Sequence, residues 1–260
     1  MTANPIEVTV KDGIATVFIN RAERRNALSV AVANGLTDAW DMIDADPDIR
    51  VAVLTSADCG TFSAGLDLKE ASQLMKEEGV DILSRMRDPF HEHMLGCSKP
   101  IIAAMTGSLM AGGMMLTLMS DLRVGIKGSK VGITEVHIGR GSPWCAPAIA
   151  MLPQPILMEL VLTGDLMPIE KLHAFGFINY IEDTPDAVRA RAYKLAERIV
   201  TGAPLSVLAA KASVRAFMDV GVTEGLAAAK VAHKAAYASS DAIEGPRAFA
   251  EKRKPVWQGK

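Results

Sequence analysis

The stretch MTGSLMAGGMMLTLMSD, residues 105–121, combines two adjacent glycines with a strongly apolar run. Two methionines directly follow Gly112 and Gly113. The run from Ile101 to Met119 carries no charge and approaches the length that a membrane span requires. Threonine, serine and glycine interrupt it, so we expect a buried strand, a turn and a buried helix, and no membrane insertion.

Apolar strands alternate with helical patterns on both sides of this stretch. The runs Val51–Ser56, Ile101–Met105 and LRVGI are short and apolar, as is typical of strands buried on both faces of a parallel sheet. Two segments with period-two alternation meet at Asp12-Gly13, which predicts a hairpin. Ser29 predicts the N-cap of the first helix.

The chain changes character at Pro185. Three alanine-rich, helix-favouring segments follow, separated by glycine or proline, and they predict helices without a further strand. Helical patterns also begin near Leu66 and Asp81, between the predicted strands. We therefore predict an α/β fold in which residues 1–184 form a parallel sheet wrapped by helices and residues 185–260 form a helical region.

Composition restricts the functional classes. The chain has 260 residues, 49% of them hydrophobic, and a formal net charge of −2, which suits one large domain or a domain with a small appendage. The near-neutral charge argues against nucleic-acid binding. Three scattered cysteines indicate neither a disulfide framework nor a metal site and fit a reducing, cytoplasmic setting. The N-terminal sequence lacks the features of a signal peptide.

Two glycine-containing turns follow predicted buried strands. FSAGLDLKE, residues Phe62–Glu70, comes after one strand, and TGSLMAGG comes after the next. Each precedes a helical pattern, so each places unpaired backbone N–H groups at a helix N-terminus. If the turns lie side by side, these groups converge on one oxygen and form an oxyanion hole. The alternative is that the glycines only relieve crowding in two tight turns.

Seven segments, in this order along the chain, are similar to those of one protein family. They are NALS at Asn26–Ser29, FSAGLDLKE, KPIIAAMTGSLMAGG, SDLRV, GITEVHIG, LTGDLMPIEKLHAFGFIN and the closing EGPRAFAEKRKPVWQGK. The chain thereby resembles the crotonase, or enoyl-CoA hydratase/isomerase, superfamily nearly from end to end. The resemblance implies a crotonase-like ββα superhelix of strand-strand-helix units with a C-terminal helical region. It also implies homotrimers or hexamers in which the C-terminal helices pack against neighbours, although these helices would also suit a lid.

The resemblance implies an acyl-CoA thioester substrate whose carbonyl oxygen lies between two backbone N–H groups. By motif position these groups belong to Ala64 and Gly112. Negative charge develops on the oxygen when the thioester forms an enolate, and Gly112 can approach it closely because it lacks a Cβ. Coenzyme A is then part of the substrate, and no separate cofactor is expected.

The acid–base groups of the family are only partly retained. The hydratase pattern places a Cys-Glu pair where this chain has Met114 and Met115, and a thioether cannot take a proton. The second glutamate of the pattern corresponds to Glu135 in GITEVHIG. A lone carboxyl against an apolar wall is expected to have a raised pKa, which suits a group that shuttles one proton beside the thioester.

The resemblance also implies contacts with the CoA moiety and the acyl group. The residues implied in substrate binding are Ala27, Ala64, Gly65, Leu66, Asp67, Gly112, Met115 and Trp144. Arg24, Arg25 and Lys254 are candidates for binding the CoA phosphates, since basic side chains bind polyanions.

The loop after Glu135 departs from the family. RGSPWCAPAIAMLP replaces a glycine-rich stretch, and in it Trp144 can form a flat pocket wall while Arg140 can meet a polar substituent. A packing tryptophan and a surface arginine are the alternative. Met86, Phe90 and Met94 recur at helical spacing and either line the acyl pocket or, as we favour, belong to the core.

Three functions are consistent with these residues. We favour an enzyme that forms an enolate and moves one proton through Glu135, as Δ3,Δ2-enoyl-CoA isomerases do. The second is hydration, or a lyase or hydrolase step on an unusual acyl group, with water held by a group other than the missing glutamate. The third is an acyl-CoA binder without catalytic activity.

Overall fold

The computed structural model describes residues 4–260, which form two β-sheets and a set of helices. The strands are β1 (Ile6–Lys11), β2 (Ile14–Ile19), β3 (Val51–Ser56), β4 (Thr61–Ser63), β5 (Ile101–Met105), β6 (Ser108–Met110), β7 (Leu122–Ile126), β8 (Lys130–Gly132), β9 (Met167–Pro168) and β10 (Tyr180–Glu182). The α-helices are α1 (Val30–Ala45), α2 (Leu68–Glu78), α3 (Gly112–Leu118), α4 (Gln154–Thr163), α5 (Ile169–Ala174), α6 (Pro185–Val200), α7 (Pro204–Ala232), α8 (Lys234–Ala238) and α9 (Ser240–Ala250). Short 3₁₀ helices lie at Ala22–Arg24, Ile82–Arg85, Glu135–Ile138 and Pro143–Ala150, and a π-helix lies at Pro89–Met94.

The larger sheet has the strand order β1-β2-β3-β5-β7-β10. β1 and β2 are antiparallel, and the other neighbouring pairs are parallel. Asp12 and Gly13 connect β1 to β2 with φ angles of 51° and 77°, the positive values that a two-residue hairpin between twisted strands requires. The predicted hairpin and the predicted strands β3, β5 and β7 are therefore confirmed.

The two faces of the larger sheet bury different helices, because successive side chains of a strand point in opposite directions. Leu54 and Ala103 belong to the main core, which they share with Trp40 of α1. Val53 belongs to a second core that includes Val188 of α6. The first helix of the predicted C-terminal region thus covers the sheet, and a division into two domains at this helix stays a prediction.

The smaller sheet has the order β4-β6-β8-β9, and its strands have only two or three residues each. β4 and β6 lie between the buried strands and the glycine turns, so the turns do not follow β3 and β5 directly as predicted. A strand of two or three residues is too short to show the alternation of apolar and polar residues by which strands are recognised in a sequence. The chain thus runs through the units β3-β4-α2 and β5-β6-α3, which confirms the predicted ββα architecture.

The segment between α2 and β5 differs from the helix predicted to begin at Asp81. It forms a 3₁₀ turn followed by a π-helix. Pro89 disfavours the helical conformation for the residue before it, so no helix continues through this point. Met86 and Phe90 line a cavity, whereas Met94 is buried in the main core, to which Phe90 also belongs, so each interpretation holds for part of this stripe.

The C-terminal helices end in a tail that packs back on the chain. α7 breaks at Gly221, whose φ of 78° and ψ of −172° are not helical. The backbone N–H groups of Gln258 and Gly259 donate to the carboxylate of Asp241 at 2.7 and 2.9 Å. Large apolar side chains of this region stay exposed, Phe249 at 87%.

Of the helices between residues 4 and 260, none combines the length and apolar character that crossing a bilayer requires. The uncharged run from Ile101 to Met119 forms β5, β6 and α3, and most of its residues are buried. This confirms the predicted buried strand and buried helix, while the short strand β6 between them was not predicted.

Candidate active site

A cavity of about 600 Å³ opens beside the N-terminus of α3. Its walls come from the glycine turn before α2, the segment between α2 and β5, the start of α3 and the loop after Glu135. Most of the lining side chains are apolar, among them Leu66, Phe90, Met115 and Trp144. A concave, largely apolar cavity with few polar groups is the usual form of a small-molecule site.

The two glycine turns touch each other at the cavity wall. A Cβ on Gly65 would lie 2.8 Å from the carbonyl oxygen of Met110 and 3.0 Å from the nitrogen of Gly112. A Cβ on Gly112 would lie 2.6 Å from Cδ1 of Leu28 and 3.5 Å from Cα of Gly65. The absence of a Cβ at these two glycines therefore relieves crowding, and it also allows the two turns to lie side by side. Gly65, which was predicted to bind substrate, lies at the contact between the two turns. It is not among the residues described as lining the cavity.

Ala111, which leads into α3, has a backbone conformation that glycine adopts more readily than alanine. Its φ is 50° and its ψ is −118°, and such strain typically costs about 1–3 kcal/mol. Its N–H donates to the carbonyl of Gly132 at 2.9 Å, and its carbonyl accepts from the N–H of Met115 at 3.1 Å. These bonds hold the turn so that the first three N–H groups of α3, from Gly112 to Met114, have no acceptor among the described residues.

The structure corrects the predicted donor in the first turn. The N–H of Ala64 donates to the carbonyl oxygen of Arg25 at 3.1 Å, so it is not free for a ligand. The predicted role of Ala64 as an oxyanion donor is therefore wrong, although the residue lines the cavity. The N–H of Leu66 is the free group of this turn, without an acceptor between residues 4 and 260. A bridge to Leu28 fixes its direction, because the N–H of Leu28 donates to the carbonyl of Gly65 at 2.7 Å.

Asn26 holds in place the loop that contains Arg25, whose carbonyl oxygen accepts the hydrogen bond from the N–H of Ala64. Both Arg25 and Asn26 have positive φ angles, of 53° and 51°. The buried side-chain amide of Asn26 donates to the carbonyls of Ala57 and Thr61 at 2.9 and 2.8 Å. Its Oδ1 accepts from the N–H of Arg21 at 3.2 Å. The asparagine of the NALS segment therefore ties this loop to β4, and both polar atoms of its side chain have partners among the described residues.

Glu135 begins the short 3₁₀ helix after β8 and lies at the cavity wall, only 7% exposed. The indole N–H of Trp144 donates to Oε1 of Glu135 at 3.0 Å. Oε2 is buried and has no hydrogen-bond partner within the described chain. Burial raises the pKa of Glu135, and hydrogen bonds from its own backbone N–H and from Trp144 oppose that rise only in part. The shift has the predicted direction.

Among the described cavity residues, Glu135 is the one carboxyl with a free oxygen. Met115 lies in the wall, at the position of the missing family glutamate. Asp88 is the other acidic residue of the wall, but its Oδ1 accepts from the N–H groups of Phe90 and His91 at 2.7 and 3.1 Å. Its Oδ2 lies 3.2 Å from Nδ1 of His91. No histidine is among the residues described as lining the cavity.

Two residues predicted to bind substrate have structural partners instead. The carboxylate of Asp67 caps the first turn of α2 and pairs with Arg21 at 2.8 Å. Burial raises the pKa of Asp67, but hydrogen bonds from Arg21 and from the N–H of Glu70 outweigh this effect and lower it. The N–H of Ala27 donates to the carbonyl of Arg24, and its own carbonyl accepts from Arg21, both at 3.1 Å. Neither Ala27 nor Asp67 lines the cavity as described.

The basic residues predicted for the CoA phosphates lie outside the cavity wall. Arg24 lies 3.5 Å from the carboxylate of Asp67 and is partly exposed. Arg25 and Lys254 are exposed. Their contact with phosphates stays a prediction.

The loop that departs from the family forms one wall of the cavity. Trp144 lines the cavity, in agreement with a flat wall. Arg140 also lines it, but its guanidinium pairs with Asp81 at 2.6 Å and so links this loop to the segment after α2. A hydrogen bond from the N–H of Leu83 and, to a smaller extent, one from Arg140 lower the pKa of Asp81.

Sequence reasoning missed the free N–H of Leu66 and the hydrogen bond of Trp144. For Leu66 a signal existed, because the free N–H groups of a helix lie near its first turn, and α2 begins two residues after Leu66. Trp144 follows Glu135 by nine residues in a loop without periodicity. No sequence pattern predicts that pair.

Comparison with known proteins agrees with this architecture. A sequence model of the family described as enoyl-CoA hydratase/isomerase matches residues 9–260. The (E)-benzylidenesuccinyl-CoA hydratase of Thauera aromatica is 32% identical over 259 residues, which is 98% of this chain and 99% of that protein. Enoyl-CoA hydratase EchA19 of Mycobacterium tuberculosis is 34% identical over 94% of this chain and 92% of its own length.

Solved structures show the same fold. An enoyl-CoA hydratase from Mycobacterium tuberculosis superimposes with a TM-score of 0.88 at 35% identity, covering 99% of this chain and 100% of that one. An enoyl-CoA hydratase from Bacillus anthracis gives a TM-score of 0.91 at 26% identity, covering 98% and 100%. With a family match over nearly its whole length and the same fold as these enzymes, the chain belongs to the enoyl-CoA hydratase/isomerase, or crotonase, family.

Proposed function

We propose that this protein moves the double bond of an enoyl-CoA thioester by transferring one proton through Glu135. The observation that supports this most is the Glu135 carboxyl itself, which lies buried at an apolar cavity with one oxygen unpartnered. A reaction with a single base is favoured because no second carboxyl with a free oxygen was found among the described cavity residues. Coenzyme A enters as part of the substrate.

The reaction needs Glu135 in its carboxylate form at the start. The carboxylate takes a proton from the carbon beside the thioester, and the electrons of that C–H bond form a dienolate whose negative charge lies on the thioester oxygen. Glu135 then returns the proton to the γ-carbon, which leaves the double bond conjugated with the thioester and restores the carboxylate. A positioned base of this kind contributes about 10²–10⁴ in rate.

The oxyanion is assigned to the N–H groups of Leu66 and Gly112. Both lack an acceptor in the part of the chain described, and the glycine turns that bear them are in contact. The Gly112 N–H belongs to the first turn of α3, where the free N–H groups favour negative charge. Donors that are already oriented stabilise a developing charge without reorganisation, which is the basis of an oxyanion hole.

The first test is Glu135→Gln. We expect turnover of a Δ3-enoyl-CoA to fall by about 10²–10⁴, because the amide cannot accept the proton, while affinity for the CoA ester is retained. Steady-state kinetics with isothermal titration calorimetry measures both. Glu197→Gln, at an exposed site on α6, is the control and keeps wild-type rates. Unchanged turnover in Glu135→Gln would end the proposal, and binding without turnover in the wild type would favour a non-catalytic binder.

Hydration is the second candidate, because the relatives from Thauera aromatica and Mycobacterium tuberculosis are both named hydratases. Water would then be activated without a carboxylate at Met115. Assays of hydration and double-bond migration on matched substrates, including an aromatic acyl group, separate the two reactions. Met115→Glu should raise hydration if only that carboxyl is lacking, and no gain would weaken this candidate.

We also infer that subunits associate through the C-terminal helices as homotrimers or hexamers. Tyr237 of α8 and Ile243 and Phe249 of α9 are between 73% and 87% exposed, and burying such large apolar side chains against another subunit is favourable. Light scattering of the purified protein gives the mass directly. A monomer at all concentrations would contradict this inference.

A further inference from the structure

The loop that departs from the family supplies the hydrogen bond that holds Glu135. Trp144 lies in the 3₁₀ helix Pro143–Ala150, and its indole N–H is 3.0 Å from Oε1 of Glu135. We propose that Trp144 is a positioning residue that determines which oxygen of Glu135 carries the proton. This inference rests on the proposed function and deepens it.

The assignment follows from the chemistry of the indole. An indole N–H can only donate a hydrogen bond, so Oε1 must accept from Trp144 whether Glu135 is ionised or protonated. The carbonyl oxygen of a protonated carboxyl is a stronger acceptor than its hydroxyl oxygen, so the bond from Trp144 to Oε1 favours the proton on Oε2. Oε2 has no partner in the described structure, so we assign the exchanged proton to it; because this oxygen is buried, the carboxyl must turn toward the acyl group for the exchange. Trp144 thus occupies Oε1 and leaves Oε2 without a partner among the described residues.

The place of Trp144 in the cavity gives it a second contact. Its ring lines the same cavity as Glu135 and packs against the main core. The two parts of Trp144 therefore have different roles: its N–H bonds to the Glu135 carboxyl, and its ring faces the cavity that would hold the acyl group. A substitution that keeps an aromatic ring but removes the N–H separates these roles.

The other charged residues that line the cavity with Glu135 have partners of their own. Arg87 bonds to Asp38, Asp88 to His91 and Arg140 to Asp81. His137 lies in the same short 3₁₀ helix as Glu135, and Cys145 follows Trp144 in the chain. Burial raises the pKa of Cys145, and the nearby charge of Glu135 adds a smaller rise. Within the described chain, Trp144 supplies the one side-chain hydrogen bond to the Glu135 carboxyl.

The first experiment detects the hydrogen bond without substrate. The chain has three tryptophans, so ¹⁵N-labelled protein gives three indole N–H signals, which Trp-to-Phe variants assign. We expect the Trp144 signal to shift with pH as Glu135 ionises and to lose this shift in Glu135→Gln. The indole of Trp257, which donates to the carbonyl of Thr201 at 2.8 Å, is the internal reference. A Trp144 signal that does not titrate, or that titrates equally in Glu135→Gln, would overturn the inference.

The second experiment measures what the bond does in turnover. Trp144→Phe keeps the ring and removes the donor, so we expect kcat to fall about tenfold, the factor typical of a lost hydrogen bond to a charged group, with KM little changed. The acidic limb of the kcat–pH profile should move to higher pH, because the carboxylate loses a stabilising donor. Trp257→Phe makes the same chemical change outside the cavity and should leave both unchanged.

The two failures are distinguishable. If Glu135→Gln abolishes turnover but Trp144→Phe has the wild-type profile, the positioning role is wrong and the proposed function stands. If Glu135→Gln retains turnover, the proposed function is wrong whatever the indole signals show. If Trp144→Phe loses activity with an unshifted pH profile and a lower unfolding temperature, the role of Trp144 is structural and the inference is wrong.

Discussion

Two neighbouring glycines at the start of α3 differ in what surrounds them. A Cβ on Gly113 would lie 2.4 Å from the carbonyl oxygen of Ser63 and 3.0 Å from its Cβ. The nearest atom to a Cβ on Gly112 would be Cδ1 of Leu28 at 2.6 Å, the end of a flexible side chain. Backbone of β4 cannot move aside as a leucine methyl can. Gly113 therefore serves packing, whereas Gly112 serves the close approach of the two turns.

This difference predicts unequal effects of the same substitution. We expect Gly113→Ala to lower the free energy of unfolding by about 3 kcal/mol, at the upper end of the range for overpacking, and Gly112→Ala to lower it by about 1 kcal/mol. Gly112→Ala should instead reduce turnover by about 10², because the new methyl group disturbs an oxyanion donor. Urea unfolding and steady-state kinetics measure the pair. Equal losses of stability would contradict the distinction.

At the scale of the element, α3 depends on Arg123 for its C-terminal end. The Arg123 guanidinium donates to the carbonyls of Thr117 and Ser120 at 2.7 and 2.8 Å, and it lies 4.4 Å from the ring centre of Phe177. Burial lowers the pKa of Arg123 to about 10, and the charge of Asp121 acts in the opposite direction. A buried cation at the carbonyl end of a helix satisfies groups that have no partner within the helix.

We expect Arg123→Met to lower the free energy of unfolding by about 3 kcal/mol, because it leaves buried carbonyls without donors. Turnover should also fall, since the N-terminal turn of α3 contains Gly112. Arg123→Lys is the matched control: it keeps the charge but bonds fewer carbonyls, so an intermediate loss is expected. Urea unfolding measures the series. A methionine variant as stable as the wild type would show that α3 does not need this cap.

For the whole molecule, burial of Glu135 works against stability at neutral pH. Its pKa is raised by burial above the ordinary value of 4.5, so the folded state holds its proton to higher pH than the unfolded chain does. The stability that this carboxyl contributes is complete below pH 4.5 and decreases as pH rises through the folded-state pKa. A function that requires the ionised carboxyl in an apolar cavity therefore costs stability.

We expect Glu135→Gln to unfold at a higher temperature than the wild type at mildly alkaline pH. The difference should shrink toward zero as pH falls below 4.5, because the wild-type side chain is then neutral as well. Thermal unfolding across pH measures the difference. The exposed Glu197→Gln serves as the control and should show no such trend. A gap that is constant with pH would exclude the ionisation of Glu135 as its cause.

Local signals in the sequence determined much of this protein. Asp12-Gly13 and Ser29 act through their immediate neighbours, and the observed hairpin and the cap of α1, where the Ser29 side chain accepts from Val32, confirm both. The apolar runs determined β3, β5 and β7, because a strand buried on both faces is a continuous apolar run that can be recognised without knowing its neighbours in the sheet. The resemblance of whole segments located Glu135 and Gly112 at the cavity.

Only the tertiary structure decided which groups of the site are free. Ala64 and Leu66 lie in one turn, and what separates them is a hydrogen bond from Ala64 to Arg25, far back in the chain. The contact of Trp144 with Glu135 likewise arises from the path of an irregular loop. Turns, caps and periodicities depend on residues within a few positions, so the sequence determines them directly. A hydrogen bond between distant segments depends on where the whole fold places its two atoms.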